Sequence, residues 1–201
     1  MPLYELGVLP KPLSDLFKEE YLELSYPDLL SQCESCYDGL TITASQSAAV
    51  EKKTKQQTGS RVWFQLRAGR ITASRIRAAA HTDPTQPSPS LIKSICYLES
   101  HQFKTCKTTW GCEHEQTAQD AYVAMAEKKH TGLSVSPSGL VIHTGYPHMG
   151  ASPDAIVNCK CCGRGTVEIK CPFSCTDKTF LEATSGPTFC LELIDGAYSL
   201  K

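Results

Sequence analysis

The sequence lacks the features that would place it in a membrane or outside the cell. None of its apolar runs reaches the roughly 20 residues that a membrane-spanning helix needs. The amino terminus, MPLYELGVLPKPL, has no basic segment followed by an apolar one, so no secretory signal is predicted. The 11 cysteines are odd in number and irregularly spaced, which favours free thiols or a metal site over a disulfide framework. We therefore expect an intracellular, non-secreted protein without a membrane partner, with nucleus and cytoplasm both open.

Net charge is also nearly absent, but the charges are distributed unevenly along the chain. The formal net charge is −1. Residues 1–40 carry eight acidic and two basic side chains, whereas residues 51–80 carry eight basic side chains and one acidic one. A basic block in a neutral chain is typical of a contact with a polyanion such as a nucleic acid. A solvated charged helix gives the same pattern, so composition alone leaves both interpretations open.

Length and composition indicate one folded domain with an appendage. The 201 residues include 41% apolar and 20% charged side chains, which allows a packed core, and no internal repeat is visible. Residues 1–42 are acidic and rich in proline, so we predict an appendage with one short helix near residues 13–24 and little else. Residues 43–201 are predicted to form the folded domain.

Helical patterns come first in this domain and strand patterns follow. Four helices are predicted. The first runs from a cap at Thr43 or Ser45 to about Gln57, and the second begins at a cap at Thr72 or Ser74. The third and fourth cover residues 91–101 and 110–129. The predicted strands are residues 139–143, 150–158 and 165–171, the last two joined by a tight connection. This order predicts an α/β (α+β) domain with a mixed sheet.

Two carboxylates and a lysine are expected to meet at the predicted hairpin. Side chains alternate along a strand, so Glu168 and Lys170 share one face, and a short connection would bring Asp154 beside Glu168. Two hard oxygen ligands suit Mg²⁺ or Mn²⁺, which can lower the pKa of a bound water. Lys170 would orient the nucleophile and offset negative charge. Taken alone, a Glu-x-Lys pair on a strand is more often a solvated face.

The order Pro-Asp followed by Glu-Ile-Lys resembles the PD-(D/E)XK nuclease signature. Further blocks resemble, in order, those of the lambda-exonuclease/YqaJ viral recombinase family, and together they span about residues 60–175. The four blocks are residues 63–74 (WFQLRAGRITAS), residues 111–122 (G-x-x-x-E-x-x-A-x-x-x-Y), residues 151–154 (ASPD) and residues 168–173 (EIKCPF).

The resemblance implies a restriction-endonuclease-like core, with a mixed sheet flanked by helices, and a Mg²⁺- or Mn²⁺-dependent exonuclease. Such an enzyme would hydrolyse double-stranded DNA from a 5′ end in recombination or repair. Asp154 and Glu168 would be the principal metal ligands, and the Ile169 backbone carbonyl a further one. Lys170 would be the catalytic lysine, and Glu115 would support the metal or its waters.

The same resemblance assigns a phosphate-binding role to part of the basic block. Arg67 matches the family arginine that contacts the 5′-phosphate end of DNA, and Ser74 lies where a helix start can help to hold phosphate. Four further arginines extend this contact or are simply solvated: Arg61, Arg70, Arg75 and Arg77. Trp63 and Tyr122 are expected in the core rather than as base-stacking platforms.

Two departures from the family leave an alternative function open. Ala155 follows the aspartate where the family commonly has glycine, and no helix with a tyrosine and paired glutamines follows residues 168–173. We therefore expect a nuclease domain that is incomplete at its carboxyl end. The alternative is a catalytically inactive, domesticated or fragmentary module that binds DNA or other proteins. A single-strand annealing recombinase and further copies of the chain are the partners that the resemblance suggests.

The cysteines near residue 160 form a pattern of their own. Cys159 and Cys162 have C-x-x-C spacing on the predicted hairpin turn and could form half of a zinc site, with Cys171 and Cys175 as the nearest candidates for the other half. Because no second pair stands at an established spacing, reduced structural thiols are favoured over zinc here. A zinc-binding interaction module is the third and weakest interpretation.

Overall fold

The computed structural model describes residues 9–98, 105–186 and 189–200 and divides the chain into two compact units. Among these residues, the first unit contains 9–98 and 130–168, and the second contains 105–129, 169–186 and 189–200. Helices and small sheets occur together, so the prediction of a mixed α/β protein is confirmed. None of the described helices combines the length and the apolar character that crossing a membrane requires.

The described residues form seven helices and eight strands. The helices are α1 (Tyr26–Asp38), α2 (Ala44–Lys53), α3 (Arg61–Arg67), α4 (Ala73–His81), α5 (Pro89–Cys96), α6 (Cys106–Ala126) and α7 (Phe180–Thr184). The strands are β1 (Ile71–Thr72), β2 (Ser134–Pro137), β3 (Val141–Ile142), β4 (Met149–Ala151), β5 (Ala155–Cys159), β6 (Gly163–Val167), β7 (Leu191–Ile194) and β8 (Ala197–Leu200).

Two of the three described sheets belong to the first unit. In one, β4 lies between β1, to which it is parallel, and β3, to which it is antiparallel. In the other, β5 lies between β2 and β6 and is antiparallel to both. The second unit contains the β7–β8 hairpin together with α6 and α7.

Two predicted strands have the wrong bounds, for one physical reason. The predicted strand 150–158 is two strands in different sheets, β4 and β5, separated by Ser152, Pro153 and Asp154. The predicted strand 165–171 ends at Val167, whose carbonyl accepts the Asp154 N–H at 3.1 Å. Because proline has no N–H to donate, Pro153 cannot continue this ladder. Val167 is buried, whereas the next apolar residue on that face, Ile169, is only half-buried.

Helix caps explain where the helix predictions succeed and fail. Thr43 caps α2, as predicted, and it does so in a capping box with Gln46. The helix ends at Lys53 and not at the predicted end near Gln57. Thr72 precedes α4, as predicted. A capping box at Thr105 starts α6 four residues before the predicted start.

The amino-terminal prediction is wrong in its helices. Residues 13–16 and 19–23 form two short 3₁₀ turns, and α1 follows where no helix is predicted. Ser25 caps α1, and Pro27 lies in its first turn, where the missing N–H is not needed. Of the predicted helix 91–101, α5 covers residues 91–96, and residues 99–101 lie outside the described residues.

The core of the first unit lies around α2, α3 and β3. Its buried members are Leu9, Ile42, Val50, Trp63, Leu66, Leu140 and Ile142. Two hydroxyl groups join α2 to the strand region, because Ser47 donates to the Ile142 carbonyl at 2.7 Å and Thr54 accepts the Leu140 N–H at 2.7 Å. The division at residue 42 into an appendage and a nuclease domain stays a prediction.

Gly139 makes the closest backbone approach of this core. A Cβ atom there would overlap the Glu51 carbonyl oxygen and lie 2.5 Å from Thr54 Oγ1. Thr54 cannot move away easily, because it is fully buried and also donates to the Val50 carbonyl at 2.7 Å. We expect Gly139→Ala to lower the free energy of unfolding by roughly 2 kcal/mol, measured by urea denaturation.

The matched control is Gly59→Ala. A Cβ atom at Gly59 meets only the Gln56 Cβ, at 3.7 Å, which is an ordinary contact. This control should change stability by less than about 0.5 kcal/mol. Equal stability of the two variants would contradict the close packing of Gly139.

Candidate active site

The β5–β6 hairpin brings the two predicted metal ligands to one end of a sheet. Its register ends with the pair Ala155 and Val167, and Asp154 and Glu168 are the next residues outward on the two strands. The Asp154 N–H donates to the Val167 carbonyl at 3.1 Å, one residue out of this register, so the regular ladder ends here. Asp154 is half-buried and Glu168 is exposed. The backbone therefore brings two carboxylate-bearing residues to the same end of the β5–β6 ladder.

Neighbouring side chains hold the segment before Asp154 in place. The indole Nε1 of Trp63 donates to Ser152 Oγ at 3.0 Å. The side-chain amide of Gln57 donates to the carbonyls of Ser138, at 3.0 Å, and Pro153, at 3.1 Å. Gln57 has a φ of +43°, a conformation that non-glycine residues adopt rarely. A lone glutamine carries no motif, so the sequence alone does not predict this role of Gln57.

Three other predicted site residues lie together in the second unit. Glu115, Ile169 and Lys170 line one cavity of about 340 Å³. Glu115 projects from α6 as an exposed side chain, and Lys170 is also exposed. A Cβ atom on Gly111, one turn before Glu115, would lie 4.0 Å from the Cys171 carbonyl, so the segment after Lys170 runs close to this face of α6. A carboxylate and an ammonium group are thus available at the same cavity.

The predicted phosphate-binding residues form a connected polar group. Arg67 Nη2 donates to Thr72 Oγ1 at 3.2 Å, and this hydroxyl lies 3.4 Å from Ser74 Oγ. The Arg67 guanidinium also stacks on the indole ring of Trp63, 4.4 Å from the ring centroid. Trp63 is buried in the core, as predicted, and Tyr122 is half-buried. Thr72 also belongs to this group, although its position in the sequence predicts only a helix cap.

The electrostatics of Arg67 favour an anion as its partner. Burial lowers the pKa of Arg67, and the positive charge of Arg75 lowers it further. Within residues 9–98, 105–186 and 189–200, no carboxylate lies at salt-bridge distance from Arg67. A phosphate group beside the guanidinium would offset both effects and complete its hydrogen bonds.

Arg70 does not lie along a DNA-facing surface and is not solvated, contrary to both expectations for it. It is 3% exposed, and its Nη1 donates to the Leu66 carbonyl at 2.6 Å. Burial lowers the pKa of Arg70 to about 10. Arg70 is therefore part of the packed interior. The other three arginines are exposed: Arg61, Arg75 and Arg77.

A second group of metal-ligating side chains lies at the other end of the β5–β6 hairpin. His130, Cys159, Cys161 and Cys162 have ligand atoms that all lie within 4.8 Å of one another. Hydrogen bonds from the Thr131 backbone and from His130 lower the pKa of the Cys161 thiol to about 6. His130 is 29 residues from Cys159, so no spacing rule could have assigned it to this group. The partners expected from the sequence, Cys171 and Cys175, belong to the second unit.

Comparisons with known proteins give one family. The profile of the YqaJ-like viral recombinase domain matches residues 62–188. No curated protein matches the chain significantly. Among solved structures, the chain is similar to an alkaline exonuclease (LHK-Exo) from Laribacter hongkongensis, with 27% sequence identity and a TM-score of 0.39.

That similarity covers 57% of this chain and 55% of the exonuclease, so the matched part is about half the length of the bacterial protein. The family profile covers more than half of the 201 residues and contains all four blocks on which the predicted resemblance rests. The chain belongs to the YqaJ-like viral recombinase family.

Proposed function

We propose that this protein is a Mg²⁺-dependent exonuclease that degrades double-stranded DNA from a 5′ end during DNA recombination or repair. The observation that carries the proposal is that Asp154 and Glu168 directly follow the pair Ala155 and Val167, at the same end of the β5–β6 ladder. Membership of the viral recombinase family supports DNA as the substrate. The basic block of residues 51–80 supports a polyanionic partner independently of the family.

The donor set suits the proposed metal. Asp154 and Glu168 offer carboxylate oxygens, and the Ile169 carbonyl is assigned as a further ligand. These hard oxygen donors are few and partly exposed, so several positions around a bound ion would be left to water. Mg²⁺ prefers such an octahedral shell of oxygens that includes several waters. When bound, the metal supplies a water of lowered pKa and neutralises charge on the phosphodiester. Mn²⁺ is the alternative ion.

The remaining roles follow from the charges of the side chains. Lys170 orients the attacking water, and its ammonium group stabilises the negative charge that develops on the phosphate. Glu115 holds waters by accepting their hydrogen bonds. The terminal 5′-phosphate is bound by Arg67, Ser74 and the Thr72 hydroxyl between them. Binding of this phosphate sets the direction of digestion.

Digestion of end-labelled DNA tests this function. In Mg²⁺, linear 5′-phosphorylated duplex DNA that is labelled at its 5′ ends should release the label in the first turnovers. The same duplex labelled at its 3′ ends should release its label only late in the digestion. Closed circular duplex is the matched control and should survive, and chelation of the metal should stop digestion. Cleavage of the circle would overturn the exonuclease assignment. DNA binding without any cleavage would favour the inactive DNA-binding module instead.

A further inference from the structure

The turn that joins β5 to β6 gathers three thiols and an imidazole at short range. His130 Nδ1 lies 3.6 Å from the sulfur of Cys159, 3.3 Å from that of Cys161 and 3.5 Å from that of Cys162. The Cys159 and Cys161 sulfurs are 3.4 Å apart, and the Cys161 and Cys162 sulfurs are 3.7 Å apart. Four potential ligands therefore surround one small volume.

These distances match a tetrahedral zinc centre. Zinc binds cysteine sulfur at about 2.3 Å and histidine nitrogen at about 2.0 Å, which requires sulfur–sulfur edges of about 3.7 Å and sulfur–nitrogen edges of about 3.5 Å. Each of the five distances given above is within about 0.4 Å of these values. Hard cations such as Mg²⁺ prefer oxygen donors, so this set of three thiols and an imidazole selects a softer ion.

The backbone around the four residues is organised to present them. The Cys162 N–H donates to the Cys159 sulfur at 3.3 Å, a contact that orients the sulfur. The Lys160 N–H donates to the Thr131 carbonyl at 2.9 Å, which fixes the His130 segment against the turn. Gly163 closes the turn with a φ of +81°, a conformation that favours glycine.

We propose that His130, Cys159, Cys161 and Cys162 bind one structural Zn²⁺ ion. Four protein ligands leave no open position for substrate or water, which is the arrangement of structural rather than catalytic zinc sites. Asp154 is five residues along β5 from Cys159, about 16 Å at the rise of an extended strand. The zinc centre is therefore separate from the proposed magnesium site, and it secures the opposite end of the same hairpin.

The consequence of zinc binding is a stabilised sheet in the first unit. The ion connects residue 130, which precedes β2, with the β5–β6 turn, and β2 and β6 are the two neighbours of β5. Because the four ligands come together only in the folded chain, the binding free energy adds to folding stability.

Metal analysis of the purified full chain tests this site. With its thiols shown to be reduced by titration, the protein should hold close to one zinc per chain. After exchange into Co²⁺ it should show the visible absorption of a tetrahedral ion and a thiolate-to-cobalt charge-transfer band. Cys161→Ser and His130→Ala should each lose zinc to a competing chelator at least tenfold more readily, whereas the exposed Cys33→Ser should behave as wild type.

Three results would overturn the zinc site, and none depends on nuclease activity. The first is reduced wild-type protein that holds no zinc and gives no tetrahedral Co²⁺ spectrum. The second is a disulfide found among the three cysteines of the turn. The third is equal zinc retention by wild type and the two ligand variants. Should a ligand variant fail to fold, the Co²⁺ titration of the wild-type protein decides the question alone.

Discussion

Replacing Glu168 by Gln, or Asp154 by Asn, is expected to lower kcat for DNA degradation by roughly a thousandfold or more. Each change keeps the size of the side chain and removes its negative charge, so the proposed Mg²⁺ ion loses a ligand that a neutral amide cannot replace. Both residues lie at the open end of a backbone ladder, which does not depend on their carboxylates. The initial rate of nucleotide release, followed across a Mg²⁺ titration, measures the effect.

Glu113→Gln is the control for these two variants. Glu113 is exposed on α6, two positions from Glu115, and residues so spaced lie on different faces of a helix. Its activity should match that of wild type. Retention of more than a tenth of wild-type activity by Glu168→Gln, with unchanged thermal stability, would remove Glu168 from the proposed metal site.

The second large effect is expected at Arg67. Arg67→Gln should reduce the preference for 5′-phosphorylated over 5′-hydroxyl ends by roughly 10- to 100-fold, because a charge-assisted hydrogen bond to the phosphate is lost. Rates on the two kinds of duplex end, measured at one salt concentration, give this ratio directly. The rate on hydroxyl ends should change much less, since no terminal phosphate is then present to bind.

Lys52→Gln provides the control for charge alone. Lys52 is exposed on α2 in the same basic block, so its replacement removes one positive charge without touching the Arg67 group. This variant should keep the end preference of wild type. A loss of preference equal to that of Arg67→Gln would show that the effect comes from general electrostatics. Thermal unfolding of both variants separates these effects from loss of the stacking on Trp63.

The sequence predicts local features of this fold best. Thr43 caps α2 as expected, because a helix cap depends on residues close together in the sequence, here Thr43 and Gln46. A short hairpin connection brings Asp154 and Glu168 to the same end of the β5–β6 ladder, even though the predicted strands around them have the wrong bounds. The break at Pro153 could be seen only once the ladder partner was known, because a strand tolerates proline wherever the ladder requires no N–H donor.

Contacts between distant segments are what the sequence could not predict. His130 approaches the cysteine turn through the folding of β2 against β5, and its distance along the chain matches no metal-binding motif. Arg70 resembles the other arginines of the basic block in the sequence, yet it is buried against Leu66. Gln57 reaches two backbone carbonyls that are more than 80 residues away. Such contacts depend on tertiary packing, which residue periodicity does not report.

The most direct test of the proposed nuclease compares wild type with Lys170→Ala on linear 5′-phosphorylated duplex DNA. We expect Mg²⁺-dependent nucleotide release by wild type and at least 100-fold less by the variant, because the proposed stabilisation of the phosphate charge is lost. Equal release by both proteins would assign the activity to another site or another protein. Tight DNA binding by wild type, without release in either Mg²⁺ or Mn²⁺, would contradict the nuclease and leave a DNA-binding module.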